Sequence, residues 1–351
     1  MNENAPQNFT PLSSLGEFGL IDRIKGNFTP RNAEVSKGIG DDAAIYAIGN
    51  GEVHAVSTDL LVEGVHFDLS YVPLAHLGYK SVVVNLSDIY AMNCVPFGIT
   101  VSLALSNRFT VEAIDAFYQG VKKACEFYGV DLLGGDTSSS RSGLMISVTA
   151  MGRGRAEEVV YRNGAQVNDL VCVTGDIGAA YAGLQILERE KSVFLKNPEI
   201  QPDLGGFDYV VGRQLKPEAR KDVIEELRTA NVRPTAMIDL SDGLASDLRH
   251  LCRDSNTGAT IYEEKIMVDH QVHTIAEEFQ IAALTMALNG GEDYELLFTV
   301  PLDVFERISM VKDVYVIGHI EDVSAGVNIV TQSGGFFPLE AQGWNHFRES
   351  E

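Results

Sequence analysis

The sequence predicts two α+β domains, and three observations carry that prediction. At 351 residues the chain is too long for one ordinary core and fits two domains of common size. It is 45% hydrophobic and 22% charged with 33 glycines, the balance of a globular enzyme and not of a disordered or fibrous chain. Strand-like and helix-like segments mix throughout, without the regular alternation of a doubly wound sheet.

Residues 1–15 are polar and proline-containing and predict a flexible arm. They have neither the basic start nor the apolar stretch of a signal peptide. Residues 17–24 place Phe18, Leu20, Ile21 and Ile24 at roughly helical spacing. Residues 53–57 predict a strand that delivers Thr58 and Asp59 at its C-terminal end. Residues 75–92 predict a helix with Leu77, Ser81, Val84 and Asp88 along one side, and 101–105 a strand. The clearest helix is 111–128, where Val111, Ile114, Phe117, Val121 and Ala124 share a face. Leu132 and Leu133 then lead into Gly134-Gly135-Asp136, and 144–151 is a strand.

The stretch 152–169 is glycine-rich and charged, which sets the domain boundary near Arg155. Residues 16–155 then form an N-terminal domain and 156–351 a C-terminal domain. In the second domain 170–174 is a strand and 178–189 a helix, while 191–212, rich in proline and glycine, predicts an inserted loop. A buried strand at 236–240 runs into a helix at 241–252, seamed by Leu244, Leu248 and Leu251, with Ser241 or Asp242 suited to its cap. Further strands are expected at 294–300, 314–317 and 327–330. No short-period repeat is present.

Lysine and arginine number 27 against 49 acidic residues, a net charge of −22. With no basic run to supply a positive field, a nucleic-acid or anionic-membrane partner is not expected. The four cysteines are far apart and form no Cys-x-x-Cys pair, which fits a reducing cytoplasm. No apolar stretch approaches membrane-spanning length.

Acidic residues stand beside glycine or a small hydroxyl residue at six separated places. These are Gly40-Asp41-Asp42, Ser57-Thr58-Asp59, Ser87-Asp88, Gly134-Gly135-Asp136, Asp239-Leu240-Ser241-Asp242-Gly243 and Gly290-Gly291-Glu292-Asp293. Any one such pair is far more often a turn or a helix cap than a ligand. Six of them, mostly at predicted strand ends, favour a metal-phosphate centre. Carboxylates about 5 Å apart repel by roughly 3 kcal/mol at an effective dielectric near 20. Either the acidic clusters are scattered over the surface, or divalent cations hold them together in one cleft; magnesium suits the second case because it takes carboxylates, water and phosphate oxygens together. Neither a Gly-x-x-x-x-Gly-Lys-Ser/Thr loop nor a protein-kinase motif set is present, and Gly38-Ile39-Gly40 lacks the third glycine of a dinucleotide fingerprint. His270 and His273 suit a solvated helix or loop.

In order along the chain, Gly38-Ile39-Gly40-Asp41-Asp42-Ala43, Ser57-Thr58-Asp59 with Val62-Glu63-Gly64-Val65-His66-Phe67, and Val84-Asn85-Leu86-Ser87-Asp88 carry a family likeness. So do Leu133-Gly134-Gly135-Asp136-Thr137, Ile238-Asp239-Leu240-Ser241-Asp242-Gly243-Leu244 and Gly290-Gly291-Glu292-Asp293-Tyr294-Glu295-Leu296. Together they resemble the thiamine-monophosphate kinases, within the ATP-binding superfamily of aminoimidazole ribonucleotide synthetase, over residues 16–347. The resemblance implies two domains of that synthetase-like type, a homodimer, and ATP-dependent conversion of thiamine monophosphate to thiamine diphosphate with several magnesium ions. It implies metal ligation by Asp42, Ser57, Thr58, Asp59, Asp88, Asp136, Asp239 and Asp242, with Asp59, Asp88, Asp136 and Asp242 as the acids on which catalysis depends. It implies nucleotide contacts from Tyr118, Gly135, Asp136, Arg162 and Ser241, and thiamine phosphate contacts from His66, Glu292 and Trp344. Two other readings stay open from the residues themselves: a different ATP-driven reaction of the superfamily, and a non-catalytic acidic protein that binds divalent cations.

Overall fold

The computed structural model describes residues 10–341. Its first half contains α1 (Gly16–Lys25), β1 (Val35–Lys37), β2 (Ala44–Gly49), β3 (Glu52–Val62), α2 (Leu74–Ala91), β4 (Val95–Leu105), α3 (Val111–Tyr128), β5 (Asp131–Ser139) and β6 (Met145–Arg155). The six strands form one sheet in the order β1-β2-β3-β6-β4-β5. Neighbours are antiparallel except β4 and β5, which are parallel and joined through α3. Val53, Ala55 and Ser57 of β3 are buried while their alternates are not, the two-residue period of a sheet covered on one face.

Helix α2 covers that face and is itself covered by α3. The two helices meet backbone to backbone at a pair of glycines. A Cβ on Gly78 would fall 2.0 Å from the Phe117 carbonyl oxygen, and one on Gly120 1.9 Å from that of Ala75. Helix α3 is bounded locally. The Thr110 side chain accepts from the Ala113 N–H, and Gly129 ends the helix in the left-handed region at φ 71°.

The second half contains β7 (Leu170–Thr174), α4 (Ala179–Lys196), α5 (Asp208–Leu215), α6 (Lys221–Thr229), β8 (Ala236–Asp239), α7 (Leu244–Ser255), β9 (Thr257–Tyr262), α8 (His270–Phe279), α9 (Ala283–Asn289), β10 (Leu296–Val300), α10 (Phe305–Ile308), β11 (Val314–Asp322), β12 (Val327–Val330) and β13 (Phe336–Pro338). Its sheet runs β13-β12-β9-β11-β7-β10-β8, with β9 and β12 as the parallel pair. Leu244, Leu248 and Leu251 of α7 are buried with Ile238, Ala259, Ile261 and Leu297 from the sheet. The halves dock where α2 and α3 meet the segment after α5. The Tyr79 and Tyr128 hydroxyls donate to Glu218 Oε2 at 2.7 and 2.8 Å, and the Ala219 N–H donates to the Tyr128 hydroxyl at 2.8 Å.

Three expectations are corrected. Strand β3 runs on to Val62, so Ser57, Thr58 and Asp59 lie inside it and not at its end. Its pairing with β6 continues register by register to Val62 opposite Met145. Residues 191–212 are not one inserted loop: α4 extends to Lys196 and α5 begins at Asp208. Helix α7 is capped by Gly243 at φ 102° with no side-chain cap bond, so neither Ser241 nor Asp242 caps it. At the end of the stretch expected as a flexible arm, Leu12–Ser14 forms a helical turn leading into α1. Trp344 lies outside the described residues.

Candidate active site

Four aspartates converge from both halves of the molecule. Asp42 follows the Gly38–Ile39–Gly40 turn, Asp59 lies in β3, Asp88 is near the end of α2, and Asp239 closes β8. Carboxylate oxygens of Asp42, Asp88 and Asp239 all lie within 4.8 Å of one another. Asp59 joins them electrostatically, since the Asp42 charge helps to raise its pKa and its own charge helps to raise that of Asp88. Its place follows from strand alternation: Ser57 and Asp59 share the inner face of β3, and the Ser57 hydroxyl donates to Asp88. Thr58 therefore faces the other way. Its hydroxyl donates to the Val148 carbonyl at 3.1 Å and accepts from Thr149 at 3.1 Å, outside the cluster.

The cluster carries more negative charge than its surroundings compensate. Burial first, and then the Asp42 carboxylate, push Asp239 up to about 8. The same two causes lift Asp59 to about 6. Burial and the charges of Asp59, Asp239 and Asp42 raise Asp88 well above the usual carboxylate range. Asp42 is also raised, chiefly by burial, although Arg162 acts against the shift. Burial works against the Arg162 cation too, but the Asp42 and Asp41 carboxylates outweigh it and raise its pKa.

Arg162 is tied to both of these neighbours. Its guanidinium donates to Asp42 Oδ1, with Nε at 3.0 Å and Nη2 closer, and its N–H donates to Asp41 Oδ1 at 3.1 Å. Asp42 Oδ2 is buried and has no hydrogen-bond partner. An orphaned buried oxygen beside two further carboxylates is the donor set of a hard divalent cation, and the residues fit one.

The other expected positions fall around this centre. Asp242 is half-buried just beyond β8, and its N–H donates to Asp247 Oδ2 at 3.2 Å. Ser241 is exposed; its main-chain oxygen accepts from the Glu292 N–H at 2.8 Å. Gly135 and Asp136 lie exposed on the edge strand β5, so Asp136 is not in the three-carboxylate group. Gly135 is required there, because a Cβ would fall 1.8 Å from the Val101 carbonyl oxygen. Tyr118 lies half-buried on α3 against Phe117, ring centroids 5.4 Å apart and nearly perpendicular. His66 sits in the turn after β3, and its Nδ1 accepts from the Val62 N–H at 3.0 Å.

Glu292 occupies the left-handed region at φ 59°, as does Tyr294 at φ 52°. Non-glycine residues pay strain there, and such strain gathers at ligand sites. Asp293 has a different duty. It is buried and accepts from the Gly178 and Ala180 N–H groups at 2.7 and 3.2 Å, capping α4. Glu295 is held by Thr174, Arg220 and Arg213. The sixth acidic motif thus contributes no residue to the three-carboxylate group.

Three neighbours escaped the sequence reading. Asn85 Oδ1 accepts from the Asp59 N–H at 3.0 Å, and its Nδ2 donates to the Ser81 carbonyl at 3.0 Å, fixing β3 to α2. Asp247 is a buried carboxylate raised well above its usual range by burial and by Asp242. Lys80 ion-pairs with Glu292. Asn85 lies one helical step from Asp88 in the Val84-Asn85-Leu86-Ser87-Asp88 motif, a signal that could have marked it. The partners of Lys80 lie more than a hundred residues away and left no local trace.

Residues 40–154 match the family model described as AIR synthase related protein, N-terminal domain, and residues 166–330 match its C-terminal counterpart. The chain is 37% identical over 338 residues to the thiamine-monophosphate kinase of Aquifex aeolicus, covering 96% of this chain and 99% of that protein. It is 34% identical over 343 residues to that of Bacillus subtilis, covering 95% and 100%. A solved structure described as AaThiL complexed with AMPPCP and TMP superposes with a TM-score of 0.82 at 35% identity, covering 97% of this chain and all of the other.

Proposed function

The chain belongs to the thiamine-monophosphate kinase family of AIR-synthase-related proteins, and from that premise we propose that it transfers the γ-phosphoryl group of ATP to thiamine monophosphate, giving thiamine diphosphate. The observation that carries this reading is the convergence of Asp42, Asp88 and Asp239 within 4.8 Å, with a buried unpartnered oxygen on Asp42.

The acceptor is a phosphate monoester, whose second pKa near ~6 leaves it largely dianionic at neutral pH. It needs no strong general base to become nucleophilic. What it needs is alignment with the donor phosphate and relief of their repulsion. Magnesium held by these carboxylates would supply that charge neutralisation. The chain's own residues hold and orient. Asp42, Asp59, Asp88 and Asp239 form the floor of the metal site, with Asp242, Asp136 and Ser57 around it and Thr58 limited to its main-chain oxygen. Arg162 fixes Asp42 and sits at the nucleotide with Gly135, Asp136, Ser241 and Tyr118. His66 and Glu292, with Trp344, receive the thiamine moiety.

The proposed assembly is a homodimer. The edge strand β5 is exposed along its whole length, and Leu60, Leu133 and Met145 are exposed on its sheet at 55%, 53% and 37%. Partner pairing there would bury apolar surface and satisfy an open edge. The domain division is placed at residues 155/156. The proposed compartment is the cytoplasm, supported by four free cysteines and by the lack, among described residues, of any helix long and apolar enough to cross a membrane.

The proposed roles are tested by Asp59→Asn against a Ser13→Ala control in ATP- and magnesium-dependent turnover of thiamine monophosphate. Asp59→Asn should lose at least about a hundredfold in kcat, the scale of an electrostatic group at phosphoryl transfer. Equal activity in the two variants would refute the metal role.

A further inference from the structure

Lys80 lies in the middle of α2 and is only 4% exposed. Its ammonium crosses from the N-terminal half to the C-terminal half. There it pairs with Glu292 Oε1 at 3.0 Å and donates to the main-chain oxygen of Gln214 at 3.0 Å. Gln214 in turn donates from Nε2 to Glu292 Oε2 at 2.7 Å. Both carboxylate oxygens of Glu292 are therefore pinned, one from each half of the molecule.

Stability alone does not account for this arrangement. Withdrawing an ammonium from water is costly, and a methionine of similar length would fill the space without that cost. Glu292 is also constrained from its backbone, in the left-handed region with its N–H bonded to the Ser241 carbonyl. Its side chain nevertheless keeps 29% exposure. A carboxylate has about four acceptor positions, so two bonds leave capacity for a ligand on the open side.

We propose that Lys80 is a positioning residue for the acceptor. It holds the Glu292 carboxylate in the orientation that receives the cationic, amino-bearing rings of thiamine monophosphate. The inference rests on the kinase reading above and on Glu292 as an acceptor contact. It adds that α2, the helix that carries Asp88 toward the metal site, also sets acceptor affinity. One rigid helix then couples the placement of both phosphate partners.

The test is steady-state kinetics on wild type, Lys80→Met, Glu292→Gln and the double variant, varying thiamine monophosphate and ATP separately. Wild-type turnover comes first: no product from wild type sinks the kinase reading and not this step. With wild type active, Lys80→Met should raise KM for thiamine monophosphate roughly tenfold, equivalent to ~1.4 kcal/mol and typical of a lost hydrogen bond to a charged group. KM for ATP should stay within about twofold, because uniform loosening would move both. The double variant should bind acceptor no worse than Glu292→Gln alone. Should Lys80→Met fold poorly, the double variant, which leaves no unpaired charge, is compared with Glu292→Gln and decides the matter. An unchanged acceptor KM, an equal rise in both KM values, or multiplied effects in the double variant would overturn the proposal.

Discussion

Removing a carboxylate from the centre should stabilise the metal-free protein while it destroys metal binding. Asp239→Asn shows this most clearly, because Asp239 is 2% exposed at the end of β8 and faces Asp42 and Asp88 within 4.8 Å. At that separation and an effective dielectric near 20, one ionised pair costs about 3 kcal/mol. The metal-free protein partly avoids the cost by holding protons, since Asp239 is pushed up to about 8 by burial and by Asp42.

A folded-state pKa above the unfolded value near ~3.9 means that the folded state binds the extra proton. The stability tied to that proton is intact below about pH 4 and is lost as pH rises through about 8. Wild type in EDTA should therefore melt at lower temperature as pH goes from about 5 to about 9, and Asp239→Asn should lose much less. At the alkaline end the variant should be more stable by about 2–3 kcal/mol, a rise of roughly 5–10 °C in Tm for domains of this size. In excess magnesium the order should reverse, because only wild type gains from the cation. Thermal unfolding followed by circular dichroism, with and without magnesium, measures all four conditions. A variant less stable than wild type in EDTA at both pH values would refute the charge-repulsion argument, as would equal magnesium stabilisation of the two proteins.

Two further outcomes separate scaffold from site. Gly120→Ala should destabilise by about 3 kcal/mol or more, because its Cβ would meet the Ala75 carbonyl oxygen at 1.9 Å and force α2 and α3 apart; urea denaturation measures it, and a change below ~1 kcal/mol would contradict the backbone contact. Asp293→Ala should cost about 1–2 kcal/mol through the lost α4 cap, yet leave the magnesium-induced rise in Tm intact; loss of that rise would place Asp293 in the metal site after all.

The sequence was most informative where local chemistry and final structure agree. The 111–128 helix carries its own cap, apolar face and terminal glycine, and forms with those bounds. The strands 170–174 and 327–330 are likewise formed as expected. Legibility failed where distant partners decide. Ser57-Thr58-Asp59 suggests a strand end, but pairing with β6 carries the strand through it, so alternation places Thr58 on the wrong face. The end of α4 was hidden because Phe194 and Leu195 are exposed at 41% and 68%, leaving no clean apolar seam. Strand β9 leaves little local trace in the sequence; Gly258 stands in it because a Cβ would fall 2.5 Å from the Gly326 carbonyl oxygen. Three of the acidic motifs bring Asp42, Asp88 and Asp239 together, but the division between cluster and cap, Asp239 against Asp293, is set by which backbone amides surround each carboxylate.

The most direct measurement is a product assay with ATP and magnesium, offering thiamine monophosphate and thiamine as alternative acceptors. The expected result is thiamine diphosphate from the monophosphate, abolished by EDTA, and no phosphorylated product from thiamine. Failure to form thiamine diphosphate across a range of magnesium concentrations, or efficient phosphorylation of unphosphorylated thiamine, would contradict it.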